Sequence, residues 1–218
     1  MELTLKLPFL SGKADPSAPL LSDKRAQLVD LLDGGKHGQA VREGRVFIGN
    51  AAAAGVVLPI YSNTTQVFGL WNPKGSGVNV ELLSVAMTYV DTTGAAGGYC
   101  LGVTLDAPAQ LATGARITAF TEAVLNTTIF NALTGSLRGP VAKFTPSAAT
   151  VTAPILWRQL GLNQLVLTPA DATQGLLRAL IAFDGDAWLP PGTAVWLAGN
   201  IATLAKWAPT LVWKEETV

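Results

Sequence analysis

Cys100 is the only cysteine and His37 the only histidine of this 218-residue chain. The two side chains that most often serve as nucleophile and general base therefore occur once each. One of each builds neither an internal disulfide nor a Cys/His zinc site. Cys100 lies in the strand-like run Tyr99-Cys100-Leu101, where a lone cysteine reads as a small buried hydrophobe. His37 sits among charges and glycines, and reads as a solvated or interface imidazole rather than a base. Asp184 and Asp186 flank Gly185 and could be taken for an acid/base pair or calcium ligands. The repeated oxygen spacing of a calcium loop is missing, so a tight turn is expected. Glu215 and Glu216 read as solvated.

Phosphate chemistry has no carrier. Gly75-Ser76-Gly77 lacks the third glycine of a dinucleotide fingerprint, and Gly12-Lys13 and Gly35-Lys36 run into Ala14 and His37, so neither is a P-loop. No Gly-x-Ser-x-Gly elbow occurs. The expectation is no catalytic residue, no cofactor and no metal. The sequons Asn63-Thr64-Thr65 and Asn126-Thr127-Thr128 are expected to carry no glycan, since Glu2 and Pro8 interrupt any signal-peptide pattern. Binding chemistry is better represented. Six tryptophans occur, and four of them, Trp188, Trp196, Trp207 and Trp213, crowd the carboxy-terminal region. They are candidate contacts for a subunit interface or a glycan, with the core as the competing use.

The elements that would position these residues show first in the charge map. Lys+Arg number 15 and Asp+Glu 15, so the formal net charge is zero, and only 14% of the chain is charged. A nucleic-acid partner is not expected without a basic excess, and Ala51 to Ile60, the longest apolar run, is too short to span a membrane. Low charge leaves little to oppose self-association, which predicts an oligomer. Residues 1–45 hold thirteen of the charged side chains and residues 46–115 only four. Residues 1–45 thus read as a docking arm. Its short helix starts at the Ser22 cap, runs to Asp33, ends on Gly34-Gly35, and carries Leu28, Leu31 and Leu32. About three turns are marginal alone and call for a partner surface.

Residues 46–218 read as one β-sandwich domain. Apolar, Thr-rich runs are bounded by Gly, Pro and Asn clusters, as in Gln66 to Trp71, Val78 to Val90, Gly98 to Leu105, Thr150 to Trp157, Leu176 to Phe183, Thr193 to Ala198 and Thr210 to Lys214. Asn72-Pro73-Lys74-Gly75-Ser76-Gly77 predicts a hairpin-type reversal. In Val78 to Val90 the apolar phase switches: Val78, Val80 and Leu82 give way to Leu83, Val85, Met87 and Tyr89. Either a bulge near Leu82 resets the pleat or both faces are covered, the second pointing to subunit packing.

The stretch Phe68-Gly-Leu-Trp-Asn-Pro-Lys-Gly-Ser-Gly-Val-Asn-Val-Glu-Leu-Leu-Ser-Val is similar to a segment of small virion proteins of tailed bacteriophages. The close, Leu189-Pro-Pro-Gly-Thr-Ala-Val and then Leu211-Val-Trp-Lys-Glu, resembles the "PPG" hairpin and terminal "W-x-E" of the same proteins. The resemblance implies an all-β, two-sheet sandwich of jelly-roll type, serving as capsid decoration, fibre or tail adaptor, with no catalytic residue carried over. It implies a virion location after synthesis in the host cytoplasm. The partners then expected are further copies of itself, as a trimer, and other virion proteins such as the major capsid protein. A host-receptor glycan module using exposed tryptophans is the competing reading.

Overall fold

The computed structural model describes residues 36–91, 94–105, 117–152, 154–164, 178–202 and 204–218. Leu28, Leu31, Leu32 and the rest of the expected helix lie outside the described residues. Two compact units divide the chain, Met1–Gln39 and Ala40–Val218. The sandwich unit thus begins a few residues ahead of Val46. Among the described residues the elements are a short helix α1 (Gly38–Arg42) and fifteen strands: β1 (Val46–Asn50), β2 (Val56–Val57), β3 (Thr65–Gln66), β4 (Gly69–Asn72), β5 (Val78–Asp91), β6 (Gly97–Leu105), β7 (Ile117–Phe120), β8 (Ile129–Asn131), β9 (Lys143–Thr145), β10 (Ala149–Val151), β11 (Ile155–Gln164), β12 (Arg178–Ala182), β13 (Trp188–Leu189), β14 (Thr193–Gly199) and β15 (Lys206–Thr217).

The protein is all-β, and its strand order is that of a jelly roll. One sheet runs β12-β5-β15-β1-β8, with β13 and β2 as side pairings, and the second runs β11-β6-β14-β4-β9. Taken in chain order, the eight principal strands are β1, β4, β5, β6, β11, β12, β14 and β15. First pairs with last, β1 with β15; then β4 with β14, β5 with β12, and β6 with β11, all antiparallel. This is one long hairpin wound up on itself, and the winding adds the β5–β15 and β6–β14 ladders that close each sheet. The tip of that hairpin, the connection between β6 and β11, carries strands β7 to β10.

Alternating residues from both sheets fill the space between them. Phe47, Leu82, Val85, Met87, Leu211 and Trp213 from one sheet meet Leu70, Leu101, Phe144, Val195 and Leu197 from the other in one cluster. The Phe144 and Trp213 rings stack across it at 5.9 Å between centroids. A third, small sheet, β3-β10-β7, lies against the far face of the second. There Ala149 and Val151 pack with Ala194 and Trp196, and the Phe120 ring lies 5.6 Å from Trp71 and 6.3 Å from Trp196. This third layer explains why every residue of β14 is buried: Val195 and Leu197 face one core, Ala194 and Trp196 the other.

Two local expectations come out differently in the fold, and one of two alternatives is selected for β5. The turn Asn72 to Gly77 does place Gly75 and Gly77 at positive φ, 77° and 72°. Yet β4 and β5 belong to different sheets, so the turn is a crossover between layers and not a hairpin. The buried Asn72 amide holds it, donating to the carbonyls of Val78 at 2.8 Å and Leu189 at 2.9 Å. The run Thr150 to Trp157 splits into β10 and β11, in different sheets, at Pro154, whose ring removes a ladder donor. The phase switch in β5 is a bulge. Leu82 pairs with Trp213 and Ser84 with Val212, leaving Leu83 as the extra residue. Val80 and Leu82 before it, and Val85 and Met87 after it, then all point into the core. With one apolar face accounted for, the strand no longer argues for subunit packing by itself.

Candidate interaction surface

The outer face of the first sheet follows from the same register. Beyond the bulge, Ser84, Ala86 and Thr88 alternate with the core residues Val85, Met87 and Tyr89 and so point outward. Their partners are Ala182, Leu180 and Arg178 on β12, and Val212, Thr210 and Ala208 on β15. Ile48 and Asn50 on β1 continue the rows beside Val212 and Thr210, and Phe130 on β8 lies beside Ile48. Leu180 is 73% and Phe130 38% exposed. Small, apolar or hydroxyl side chains therefore tile the middle of this face, with Arg178 at one end as its only charge among the described residues of those rows.

The other end is ionic. Lys214 Nζ lies 2.6 Å from the Glu81 carboxylate and 2.8 Å from Glu216. Glu81 and Lys214 are direct cross-strand neighbours, and Trp188 pairs with Glu81 from β13. The Trp188 ring sits 5.7 Å from Lys214 Nζ, while its indole N–H donates to the Gly185 carbonyl at 2.9 Å. Burial pulls the Lys214 ammonium down, but Glu216 and Glu81, by hydrogen bond and charge, move it net upward. Near neutral pH this is a charged, paired network.

Glu215, read from sequence as solvated, is 2% exposed. Its carboxylate accepts the Val141 N–H at 2.9 and 3.0 Å and the Ala142 N–H at 2.8 Å. Burial pushes this carboxyl above the usual range, and the two amides and the Arg138 charge pull against that without cancelling it. The group is a structural acceptor that fastens β15 to the segment before β9. The signal was in the alternation of β15, where Trp207, Leu211, Trp213 and Glu215 share the buried face.

The four candidate tryptophans do not form one surface. Trp196 is in the second core, with its indole N–H donating to Thr104 Oγ1 at 3.0 Å. Trp207 packs edge-on against Tyr89 and Tyr99, and Trp213 against Phe47 and Phe144. Only Trp188, 39% exposed, can meet a ligand, because the others are 0–6% exposed. Crowding in sequence misled because these residues belong to three strands whose side chains enter different layers. Cys100 is buried and its thiol is pushed up to about 11 by burial, so it stays protonated at neutral pH. Asp186 pairs with Arg158 at 2.8 Å, and Gly185 between the two aspartates takes φ 84°, the tight turn expected. Among the described residues, no group of three or more His, Cys, Asp or Glu is placed to hold a metal ion.

No family model matches the chain, and no curated protein matches it. Among solved structures, it is similar to a chain in a structure described as "KBV activated particle at acidic pH", at 10% identity and a TM-score of 0.28, covering 94% of this chain and 81% of that one. The superposition is loose, so the jelly-roll assignment stands on the strand pairings themselves.

Proposed function

We propose that the chain is a non-enzymatic structural protein of a bacteriophage virion, as capsid decoration, head fibre or tail-associated protein. It assembles into a symmetric homo-oligomer and docks on other virion proteins, such as the major capsid protein, through residues 1–45. The observation that carries the reading is the pairing of first strand with last, second with seventh, third with sixth and fourth with fifth. That wound hairpin is an architecture of viral capsid and lectin domains. The Trp71 to Gly77 turn and the Leu189 to Gly192 turn, the two segments that resemble phage virion proteins, are both layer crossovers of this roll.

Salt-washed particles from an infected culture, analysed by quantitative mass spectrometry, test the role. The chain is expected at a fixed copy number per particle, and removal of residues 1–45 is expected to leave it in the supernatant. A chain found only in the soluble lysate would overturn the reading. The lectin branch of the same architecture keeps a second reading, host-glycan binding at Trp188. A glycan array on which Trp188→Ala abolishes a hit would favour it.

A further inference from the structure

We propose that the outer face of the first sheet is where a second copy of this chain packs, sheet against sheet, about a two-fold axis lying across the strands near Thr210 and Ala86. This deepens the proposed function, since it rests on the homo-oligomer that reading includes and names its contact. The uncharged rows run from Leu180 and Ala182 through Ser84, Ala86, Thr210 and Val212 to Ile48 and Phe130, in register on five strands. At about 4.8 Å between strands and about 6.8 Å between outward residues, these positions cover roughly 260 Å² on each copy.

Charge selects a second copy as the occupant. Arg178 marks one end of the face and has no ion-pair partner among the described residues. At the other end Glu216 also pairs with Arg45, and Arg45 with Glu43, so Glu43, Glu81 and Glu216 outnumber Arg45 and Lys214 and leave one negative charge in excess. A two-fold axis across the strands reverses the strand direction of the partner. It therefore sets the Arg178 end of each copy over the Glu216 end of the other. The opposite alignment would stack like charges, which is costly. A specific interface buries about 1,200–2,000 Å² in total, more than two such uncharged patches supply, so the footprint must reach both charged ends. One self-complementary patch closes as a pair, so this contact yields a dimer or an even-numbered assembly in place of the trimer expected from sequence.

The test is native mass spectrometry and sedimentation velocity of the full chain from about 1 to 100 µM, a range that resolves micromolar association. An even-numbered species is expected, weakening as salt is raised. Thr210→Lys puts like charges beside the axis and is expected to raise the dissociation constant at least roughly 100-fold with the far-UV circular dichroism unchanged. Leu180→Glu, at an exposed edge position, gives a second variant that does not threaten the core. A monomer throughout, or an oligomer indifferent to both substitutions, overturns the proposal. Either result hands the face to another segment or partner. A monomer in solution that is nonetheless present in washed particles would sink this contact and leave the virion role standing. A dimer absent from particles would do the reverse.

Discussion

Glu215 Oε1 accepts the Ala142 N–H at 2.8 Å, and both oxygens of the same carboxylate accept the Val141 N–H. The last strand is thereby fastened to the long connection between the two halves of the roll. Glu215→Ala strands the buried Ala142 N–H and leaves the part-buried Val141 N–H to water; a buried donor costs about 1–3 kcal/mol when unsatisfied, so a loss of about 2–3 kcal/mol is expected from urea unfolding. Glu216→Ala next door removes a partly exposed carboxylate that pairs with Lys214 and, more loosely, with Arg45, and should cost less than about 1 kcal/mol. Equal losses at the two positions would show that the clasp contributes nothing.

The same carboxyl sets a pH dependence whose sign can be worked out. Unfolded, Glu215 titrates near ~4.3; folded, burial raises it. Between the two values the native state holds the extra proton, so this residue's contribution falls as pH rises through the folded value and levels off above it. Glu215→Gln does not titrate and lacks this slope. Wild-type minus Glu215→Gln stability, measured by urea unfolding from acid to neutral pH, should therefore decline with pH. A difference that grows with pH would mean that the amide hydrogen bonds outweigh burial.

Lys214 and Glu81 form a largely buried ion pair, with side chains 13% and 4% exposed. Lys214→Met leaves the Glu81 carboxylate desolvated and unpaired, at an expected cost of about 3–5 kcal/mol. Adding Glu81→Leu removes the orphan charge, and the double variant is expected to recover most of the loss. Additive losses in this cycle would show that the two side chains do not depend on each other.

Residue patterns exposed the strands better than their layers. Val78 to Val90 reads as a long strand from composition alone, but only the pairing of Leu82 with Trp213 and Ser84 with Val212 tells a bulge from a doubly covered strand. Thr193 to Ala198 is equally apolar and is covered on both faces, by the first sheet on one side and on the other by a third layer that joins β3 to β7 and β10 from the connection between β6 and β11. Local sequence does not record which distant segment arrives to cover a face. The tryptophans failed as a site for the same reason. Glu215 was legible in principle, since a carboxylate in phase with Leu211 and Trp213 must be buried, whereas its amide partners more than seventy residues away were not.

The third layer rests on a close approach that permits one test of packing against backbone preference. Gly69 pairs with Trp196 across the β4–β14 ladder. A Cβ there would run into the Trp196 ring and come within 2.6 Å of the Val195 carbonyl oxygen, which cannot withdraw without breaking the ladder. Gly69→Ala is expected to cost about 3 kcal/mol or more, the upper range of overpacking penalties. Gly75 supplies the contrast: nothing lies within 4 Å of its Cβ position, but its φ is 77°. Gly75→Ala should cost only about 1–2 kcal/mol, the penalty of the left-handed region. Trp196→Leu relieves the ring overlap and not the carbonyl contact but leaves a cavity of its own, so the measure is a double-variant cycle: by thermal melting, the Gly69→Ala penalty in the Trp196→Leu background should be partly recovered. Full recovery would put the whole penalty on the tryptophan, and none would put it on the ladder.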